Sequence, residues 1–389
     1  MDDKTSSVVS AIALNTIFGN EPKFSHTLID ALGSARAVFA LSEQERLELF
    51  GPYNTRAAQI TPDALEAAQR EYELLSARGC QFLDIFDEHY PEALRECPDA
   101  PLLLYVRSST PAAELFNRHP AVAIVGTRDQ SLYGQDACRR IVRALSEAPA
   151  RPTVVSGLAL GVDITAHAAA LEGGLPTIGV SPVGVEDVYP RRHAAFVARM
   201  CDTPGCALVT DYPPGTVPAA FNFLRRNRII AGLAGATVLV ESRTKGGGMI
   251  TARLAAGYGR DVFAVPGRID DLRSQGCNQL LKEQVAAPVA SPEALPVALG
   301  LGRLRRSREE DLEKAVRQRF SPALPAEEVD RLVRMALAIR AQRGIVLDEL
   351  CRAAELSYPD VARGAGLLEE EGFIRMDLLQ RCSINVKIA

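Results

Sequence analysis

Along the middle of the chain, short apolar runs alternate with segments whose apolar residues have helical spacing. Short apolar runs of strand length lie at residues 122–125, 153–155, 177–180, 208–210, 237–240 and 262–265. Segments with apolar residues every three or four positions lie at 133–145, 162–171 and 192–200. Strands that alternate with helices in this way are typical of βαβ units. We therefore predict an α/β fold built on a doubly wound, mostly parallel sheet that is covered on both faces.

The regions before and after this pattern differ from it. Residues 1–80 have helical spacing broken by glycine and proline, which predicts a module of short helices of the helix-hairpin-helix or SAM-like type. Some modules of this kind contact the DNA backbone, and a packing or interaction role fits equally well. Residues 81–290 hold the sheet, with two edge strands expected within 82–107. Residues 291–324 join a stretch rich in proline, alanine and glycine to a charged run of alternating sign, which indicates a linker whose charged part is a solvated coil or helix rather than a DNA-binding arm.

Residues 325–389 predict a third module. Helical spacing at 329–341, 347–354 and 357–371 precedes two short strand-like pieces, which is the order of a winged-helix-like module. The helix that would enter the major groove, 357–371, carries one arginine against four acidic residues. Because a helix for that groove needs positive charge, we favour a protein-interaction role for this module over DNA reading.

Composition narrows the classes of function. A chain of 389 residues with 47% hydrophobic and 24% charged residues is an ordinary globular protein of more than one domain. Its net charge of −4 excludes a uniformly basic surface, so a polyanion would have to bind at a local patch. Eight scattered cysteines without metal-ligand spacing predict buried thiols and no metal. The acidic N-terminus is unlike a signal peptide and no apolar run has the length of a membrane helix, so we expect a cytoplasmic protein without membrane contact.

One stretch supplies such a patch. Residues 219–248 contain a single acid, Glu241, and five cations: Arg225, Arg226, Arg228, Arg243 and Lys245. Phe221 and Phe223 stand directly before the arginines. Guanidinium groups match phosphate oxygens, and aromatic rings give unpaired bases a face to stack on. The stretch therefore favours nucleic acid over a small metabolite as the ligand.

Three glycine-containing turns follow predicted strands. They are Gly126-Thr127-Arg128, the segment 156–161 with Ser156, Gly157 and Gly161, and Gly246-Gly247-Gly248. Glycine lets backbone N–H groups approach an oxyanion, and the next helix adds the positive end of its dipole. Doubly wound sheets bind ligands beyond the carboxyl ends of their strands, where all three turns fall. The turns are therefore predicted to form one phosphate-binding edge.

Familiar nucleotide and catalytic motifs are missing from these turns. The first turn continues as GTRDQSLYG, which lacks the G-x-G-x-x-G fingerprint, and no glycine turn is followed by GK[ST]. Asp163 and His167 lie four residues apart on one predicted helix. A ligand or proton-transfer pair is conceivable there, but we favour a helix-start carboxylate that hydrogen-bonds the histidine and shapes the turn. We expect no cofactor and no enzymatic reaction.

An ordered set of short motifs runs across residues 121–285. It comprises VAIVGTR, SGLALGVDITAH, DVYP, DYPPGT, FLRRNRIIAGL, GGGMITARLA, GRDVFAVPG and GCNQLL, and it is preceded by YPEALRECPDAPLLLYVR. Together these motifs resemble the DNA-processing protein A (DprA, Smf) family. The resemblance implies an extended Rossmann-like domain that binds single-stranded DNA in a positive pocket and forms a homodimer. It also implies a mediator that loads the RecA recombinase in natural transformation or recombination, in exchange with single-strand-binding protein.

The resemblance also implies site residues. Carried over motif by motif, the pocket residues are Arg128, Phe223, Arg226, Asn227, Arg228 and Lys245. Leu160 stands where the family usually has an arginine, and Gly246-Gly247-Gly248 replaces a turn with hydroxyl donors. Asn222 and Leu224 replace a histidine and a proline. These departures predict a pocket that is either retuned or weaker for each strand bound.

Two other functions stay open. Rossmann proteins of the LOG-type phosphoribohydrolases carry a PGGxGTxxE loop whose glutamate is catalytic, whereas the corresponding loop here, GGGMITAR, has Arg253 and no nearby carboxylate. A structural adaptor that acts through its end modules would leave the cluster of arginines and phenylalanines unexplained.

Overall fold

The computed structural model describes residues 3–19, 21–117, 119–302, 307–342, 344–377 and 380–384. It divides into two units, residues 1–303 and 304–389. The helices of the larger unit are α1 (Asp3–Phe18), α2 (Pro22–Leu32), α3 (Ala35–Ala40), α4 (Glu43–Phe50), α5 (Pro62–Ala77), α6 (Glu92–Arg95), α7 (Ala112–Leu115), α8 (Leu132–Ser146), α9 (Val162–Glu172), α10 (Ala194–Asp202), α11 (Ala220–Leu233), α12 (Gly247–Gly257), α13 (Gln275–Lys282) and α14 (Leu295–Ala298). Its strands are β1 (Gln81–Asp84), β2 (Leu103–Arg107), β3 (Ala121–Val125), β4 (Thr153–Ser156), β5 (Thr177–Val180), β6 (Ala207–Thr210), β7 (Ala236–Leu239), β8 (Asp261–Ala264) and β9 (Ala287–Pro288).

One sheet organises the larger unit. Its strand order is β1-β2-β6-β5-β4-β3-β7-β8-β9. In this order, the seven strands β6, β5, β4, β3, β7, β8 and β9 pair in parallel with their neighbours. Strands β1 and β2 add an antiparallel edge beside β6. This arrangement confirms the predicted α/β fold with a mostly parallel sheet.

The burial of the strands explains why their sequences are continuous apolar runs. Every residue of β4, β5, β6 and β7 is buried. Helices α9 and α11 both pack against β3, β4 and β5, as expected when helices cover both faces of a doubly wound sheet. A strand covered on both faces has no solvent side, so its sequence is apolar throughout instead of alternating.

The strand order places a switch point at β3. The chain leaves β3 for β4 on one side, and it returns much later to β7 on the other side. The carboxyl ends of β4, β3 and β7 are therefore neighbours. In open α/β sheets, ligands bind in the crevice at such a switch point.

The N-terminal helices share the core of the sheet. Buried side chains from α1, α2, α3 and α5 belong to the same hydrophobic cluster as those of β1, β2 and β6. The Asn15 side chain donates to the Asp211 carbonyl at 2.8 Å, which joins α1 to the loop after β6. Residues 1–80 and the sheet thus pack as one unit. Among the residues that the structure describes, no helix combines the length and apolar character needed to cross a bilayer.

The smaller unit combines helices with a small antiparallel sheet. Its elements are α15 (Ser307–Phe320), α16 (Ala326–Ala341), β10 (Ile345–Val346), α17 (Leu347–Ala354), α18 (Tyr358–Glu370), β11 (Ile374–Met376) and β12 (Arg381–Ile384). Its sheet has the order β10-β12-β11. Ser357 caps α18 by accepting from the Asp360 N–H. Helix α15 lies within the predicted linker 291–324, yet its Leu312, Val316 and Phe320 are buried in the core of this unit.

Candidate nucleic-acid interface

Three strand-to-helix turns meet at the carboxyl edge of the large sheet. The first turn follows β3, the second follows β4 and the third follows β7, and β4, β3 and β7 are adjacent in the sheet. Gly126 of the first turn lies against Gly248 of the third, where a Cβ atom on Gly248 would be 3.2 Å from the Gly126 Cα. Gly161 of the second turn has a φ of +77° and lies against the Thr127 carbonyl oxygen, 2.3 Å from where its Cβ would be. These contacts join the turns into one surface.

A cleft of about 720 Å³ lies between this surface and the start of α11. We call it the cationic cleft. The following predicted site residues line it: Gly126, Thr127, Arg128, Phe223, Arg226, Asn227, Lys245, Gly246, Gly247 and Gly248. The structure therefore brings most of the predicted site into one place.

Aromatic rings and a guanidinium group form one wall of the cationic cleft. The Arg128 guanidinium lies 4.8 Å from the centre of the Phe223 ring. The Tyr189 ring meets Phe223 edge to face, with 5.2 Å between the ring centres and 70° between the planes. Phe223 is half-buried, so part of its ring stays accessible. An accessible ring held between two neighbours is a ready platform for an unpaired base.

The exposed cations of the cationic cleft are not paired with acids in the described structure. Arg128, Arg243 and Lys245 are exposed there, and none of them forms an ion pair with the residues that the structure describes. Glu241 turns away from the cleft. Its carboxylate accepts from the Ser131 N–H at 2.9 Å and from the Ser131 hydroxyl at 2.5 Å, at the start of α8. The cleft thus keeps a local excess of positive charge on an acidic protein.

Arg226 contributes a buried charge. Its side chain is almost fully buried, and Nε and Nη1 have no hydrogen-bond partner within the described structure. Burial lowers the pKa of Arg226 to about 10, Asp163 opposes this shift, and the charge of Arg128 adds to it. Burial also raises the pKa of Asp163, against the effects of Arg226 and of the Ala159 and Gly157 N–H groups. Arg226 is still a cation at neutral pH, and it holds hydrogen-bonding capacity that an anion could use.

Two arginines of α11 face away from the cationic cleft, although the sequence placed both in the site. Arg228 is buried, with Nη2 2.5 Å from the Asp211 Oδ2, and it also donates to the Asp99 carbonyl. Arg225 donates to the Gly19 carbonyl, and it lies over the ring of Tyr212. Arg228 is therefore part of the protein core and is not accessible to a ligand.

The second turn supports the cationic cleft from behind. Ser156, Gly157 and Gly161 do not line the cleft, although Ala159 of the same turn does. The Ser156 hydroxyl donates to the Ile124 carbonyl at 2.6 Å, so it is occupied inside the sheet. Leu160, at the position where the family usually has an arginine, does not line the cleft either.

The favoured pairing of Asp163 with His167 is wrong. The His167 Nδ1 lies 2.7 Å from the Thr177 hydroxyl oxygen, and its Nε2 has no partner in the described structure. The Thr177 hydroxyl donates to the Val154 carbonyl, so Nδ1 carries the proton and donates to Thr177. Burial, with a smaller contribution from Arg226, lowers the pKa of His167 to about 3. His167 is a neutral core residue that ties α9 to β5.

Several lining residues were not predicted as site residues. Arg243 and Thr244 stand next to Lys245, and the basic run in the sequence was a usable signal for Arg243. Tyr189 comes from the loop between β5 and α10. It belongs to the DVYP motif, which was a usable signal although it was not assigned to the site. Within the described part of the chain, no three His, Cys, Asp or Glu side chains are grouped as metal ligands.

Comparisons with known proteins agree with this geometry. Residues 81–299 match the family model described as DNA recombination-mediator protein A. Protein Smf from Synechocystis sp. is 31% identical over 315 residues, which cover 76% of this chain and 78% of that protein.

Solved structures give the same result. DNA processing protein A from Streptococcus pneumoniae has a TM-score of 0.53 at 32% identity, and the match covers 67% of this chain and 92% of that one. DNA processing protein A from Helicobacter pylori, whose structure was described for its single-stranded DNA binding mode, has a TM-score of 0.50 at 28% identity over 57% of this chain and 95% of that one. The chain therefore belongs to the DNA recombination-mediator protein A family.

Proposed function

We propose that this chain binds single-stranded DNA in the cationic cleft and acts as a recombination mediator that loads RecA recombinase during natural transformation or recombination. The observation that carries the proposal is the Arg128–Phe223 pair, with 4.8 Å between the guanidinium carbon and the ring centre, at a cleft with unpaired cations. The cations would contact phosphates, and Phe223 would stack on a base. Stacking needs an unpaired base, which favours a single strand over a duplex.

The cleft offers little for covalent chemistry. Among its described lining residues Asp163 is the single carboxylate, and it is buried next to Arg226. A phosphoribohydrolase would need an accessible carboxylate beside the sugar. We therefore propose a binding function without an enzymatic reaction.

The family membership supports the rest of the proposal. The relative from Helicobacter pylori was described for its single-stranded DNA binding mode. By analogy, we propose a cytoplasmic protein whose partners are single-stranded DNA, RecA, single-strand-binding protein and a second copy of the chain that associates through the Rossmann-like domain.

The test is a binding series by fluorescence anisotropy with single- and double-stranded oligonucleotides of one sequence at increasing salt. We expect preference for the single strand and a linear fall of log affinity with log salt concentration. Arg128→Ala should weaken binding, whereas Arg139→Ala, an exposed arginine of α8 outside the cleft, should not. An affinity that does not change with salt would overturn the proposal.

The RecA step needs its own measurement. RecA filament formation on DNA coated with single-strand-binding protein should be faster in the presence of the protein. An unchanged rate would limit the function to DNA binding. Release of free base from nucleoside monophosphates would instead establish the phosphoribohydrolase.

A further inference from the structure

A second cleft, of about 390 Å³, lies on the other side of the start of α11. We call it the corner cleft, after the turn at 211–216 that forms one side of it; Tyr212, Phe221 and Arg225 also line it. Ala219 lines both clefts, so they are next to each other. The volume of the corner cleft is within the range of about 300–1,000 Å³ that is usual for small-molecule sites.

Helix α11 presents a different face to each cleft. Phe221 and Arg225, four residues apart, line the corner cleft, whereas Phe223 and Arg226 line the cationic cleft. Residues two apart in a helix point about 200° from each other, so the two phenylalanines lie on opposite sides. Each cleft thus has one aromatic ring and one arginine from the same helix.

The corner cleft has a fixed and electrically balanced wall. The Arg225 guanidinium lies 5.7 Å from the centre of the Tyr212 ring, and it is held by its bond to the Gly19 carbonyl. The one carboxylate among the described lining residues belongs to Asp211, and Arg228 neutralises it. The wall therefore does not repel the backbone of a nucleic acid.

The edge of the corner cleft exposes apolar surface to solvent. Phe221 is 58% exposed and Val217 is 74% exposed. An exposed phenyl ring beside a preformed cleft can cover the face of a base, which would remove apolar surface from water on both sides.

The start of α11 separates the two clefts and is open to an anion. Ala219 at the N-cap makes no side-chain capping bond, and the first turn has no acidic residue. The Asn222 N–H donates to the Ala219 carbonyl at 3.0 Å, whereas the N–H groups of Ala220 and Phe221 have no partner within the described structure. These two N–H groups of the 14-residue helix are thus available at the boundary between the clefts. A phosphate group that links two nucleotides fits this position by charge and by hydrogen bonding.

We propose that the corner cleft is a second nucleotide subsite of the same DNA strand, which rests on the proposed function of the cationic cleft. One base stacks on Phe223, the linking phosphate passes over the start of α11, and a neighbouring base stacks on Phe221. Arg225 and Tyr212 form the wall behind this second base. The protein therefore holds at least a dinucleotide step with a bend at α11.

The test measures the affinities of the unchanged protein, Phe221→Ala and Phe223→Ala for a series of oligothymidylates. The series starts at the dinucleotide and grows by one nucleotide at a time. Phe223→Ala should weaken binding at every length. Phe221→Ala should leave the shortest bound oligonucleotides unaffected and weaken longer ones about 5- to 150-fold, the range expected for one stacked base. Phe221→Tyr should restore binding, and Phe86→Ala, which removes another exposed phenyl ring outside both clefts, should have no effect at any length.

A second readout reports stacking directly. An oligonucleotide with one 2-aminopurine, moved along the sequence, should show a position whose fluorescence is quenched on binding and recovers only in Phe221→Ala. If Phe221→Ala binds all lengths as tightly as the unchanged protein, the corner cleft is not a subsite, and the proposed role of the cationic cleft is unaffected. If the unchanged protein binds no single-stranded DNA, the proposed function itself fails.

Discussion

The guanidinium of Arg226 lies directly against Gly157, and a Cβ atom at position 157 would be 1.5 Å from Nη1. The glycine that was predicted to cradle a phosphate instead makes room for an arginine. Asp163, at the start of the helix that follows this turn, adds the charge that stabilises the buried cation. The second turn thus acts on the cationic cleft through Arg226 and not through its own N–H groups.

Gly157→Ala should therefore displace Arg226. A methyl group cannot share space with Nη1, so the guanidinium must move away from the turn or the turn must open. We expect a loss of about 1–3 kcal/mol in the free energy of unfolding of the larger unit, as for an overpacked core. Single-stranded DNA affinity should fall about 10-fold or more, since one charge-assisted contact is lost. Urea denaturation and anisotropy titrations measure the two effects.

Gly257→Ala is the matched control for this change. A Cβ atom at Gly257 meets nothing within 4 Å, and this residue ends α12 at the surface. The same substitution there should leave DNA binding unchanged. Equal losses of affinity in the two variants would show that Gly157 has no special relationship with Arg226.

Arg128→Ala should change the salt dependence of DNA binding as well as the affinity. Arg128 is exposed and unpaired, so a phosphate contact by its guanidinium would release a counterion. The slope of log affinity against log salt should become shallower by about 0.7, the value for one contact on a single strand. The loss should be similar for different base sequences, because phosphate contacts carry no sequence information.

Arg128→Lys separates charge from stacking. Lysine keeps the positive charge but lacks the planar group that lies over Phe223. We expect the original salt slope with a weaker affinity. A slope as shallow as that of Arg128→Ala would mean that the planar guanidinium, and not its charge alone, makes the phosphate contact.

The sequence predicted the sheet well because buried parallel strands are apolar throughout. The run at 177–180 coincides with β5, the runs for β3, β4 and β6 differ by one residue at one end, and those for β7 and β8 are shifted by one residue. Such runs need no tertiary information, since burial on both faces is already visible in the residue types.

The sequence could not separate the arginines of α11 by role. Arg225, Arg226 and Arg228 form one basic run, but a helix turns about 100° per residue and points them in different directions. One lines the corner cleft, one lines the cationic cleft, and one pairs with Asp211 in the core. Tyr189 was missed for the same kind of reason, since a loop residue reaches Phe223 only through the tertiary fold.

Arg228→Met should therefore destabilise the protein without changing the salt slope of DNA binding. It would leave the Asp211 carboxylate buried without its partner, which typically costs about 3–5 kcal/mol. The variant Asp211→Leu/Arg228→Met removes both charges and should recover much of that loss. Urea denaturation measures the stability, and a shallower salt slope in folded Arg228→Met protein would show that Arg228 contacts DNA after all.

Acid should destabilise the larger unit partly through His167. Burial lowers the pKa of this imidazole to about 3, whereas the unfolded chain titrates near the usual value of about 6.5. Between these two values the unfolded state binds a proton that the folded state does not, so stability falls as the pH falls. From pH 7 to pH 5 this difference in the free energy of unfolding amounts to about 2 kcal/mol for one histidine.

The control variant is His167→Gln. Its amide can keep a hydrogen bond to Thr177 but binds no proton, so this variant should lose less stability between pH 7 and pH 5. Burial raises the pKa of Asp163, so this carboxyl affects stability in the opposite direction as the pH falls. Asp163 is present in both proteins, so the comparison between them isolates the effect of the histidine. The measurement is urea denaturation of the full chain at both pH values, following the transition of the larger unit, and parallel losses in the two proteins would mean that His167 becomes protonated without unfolding.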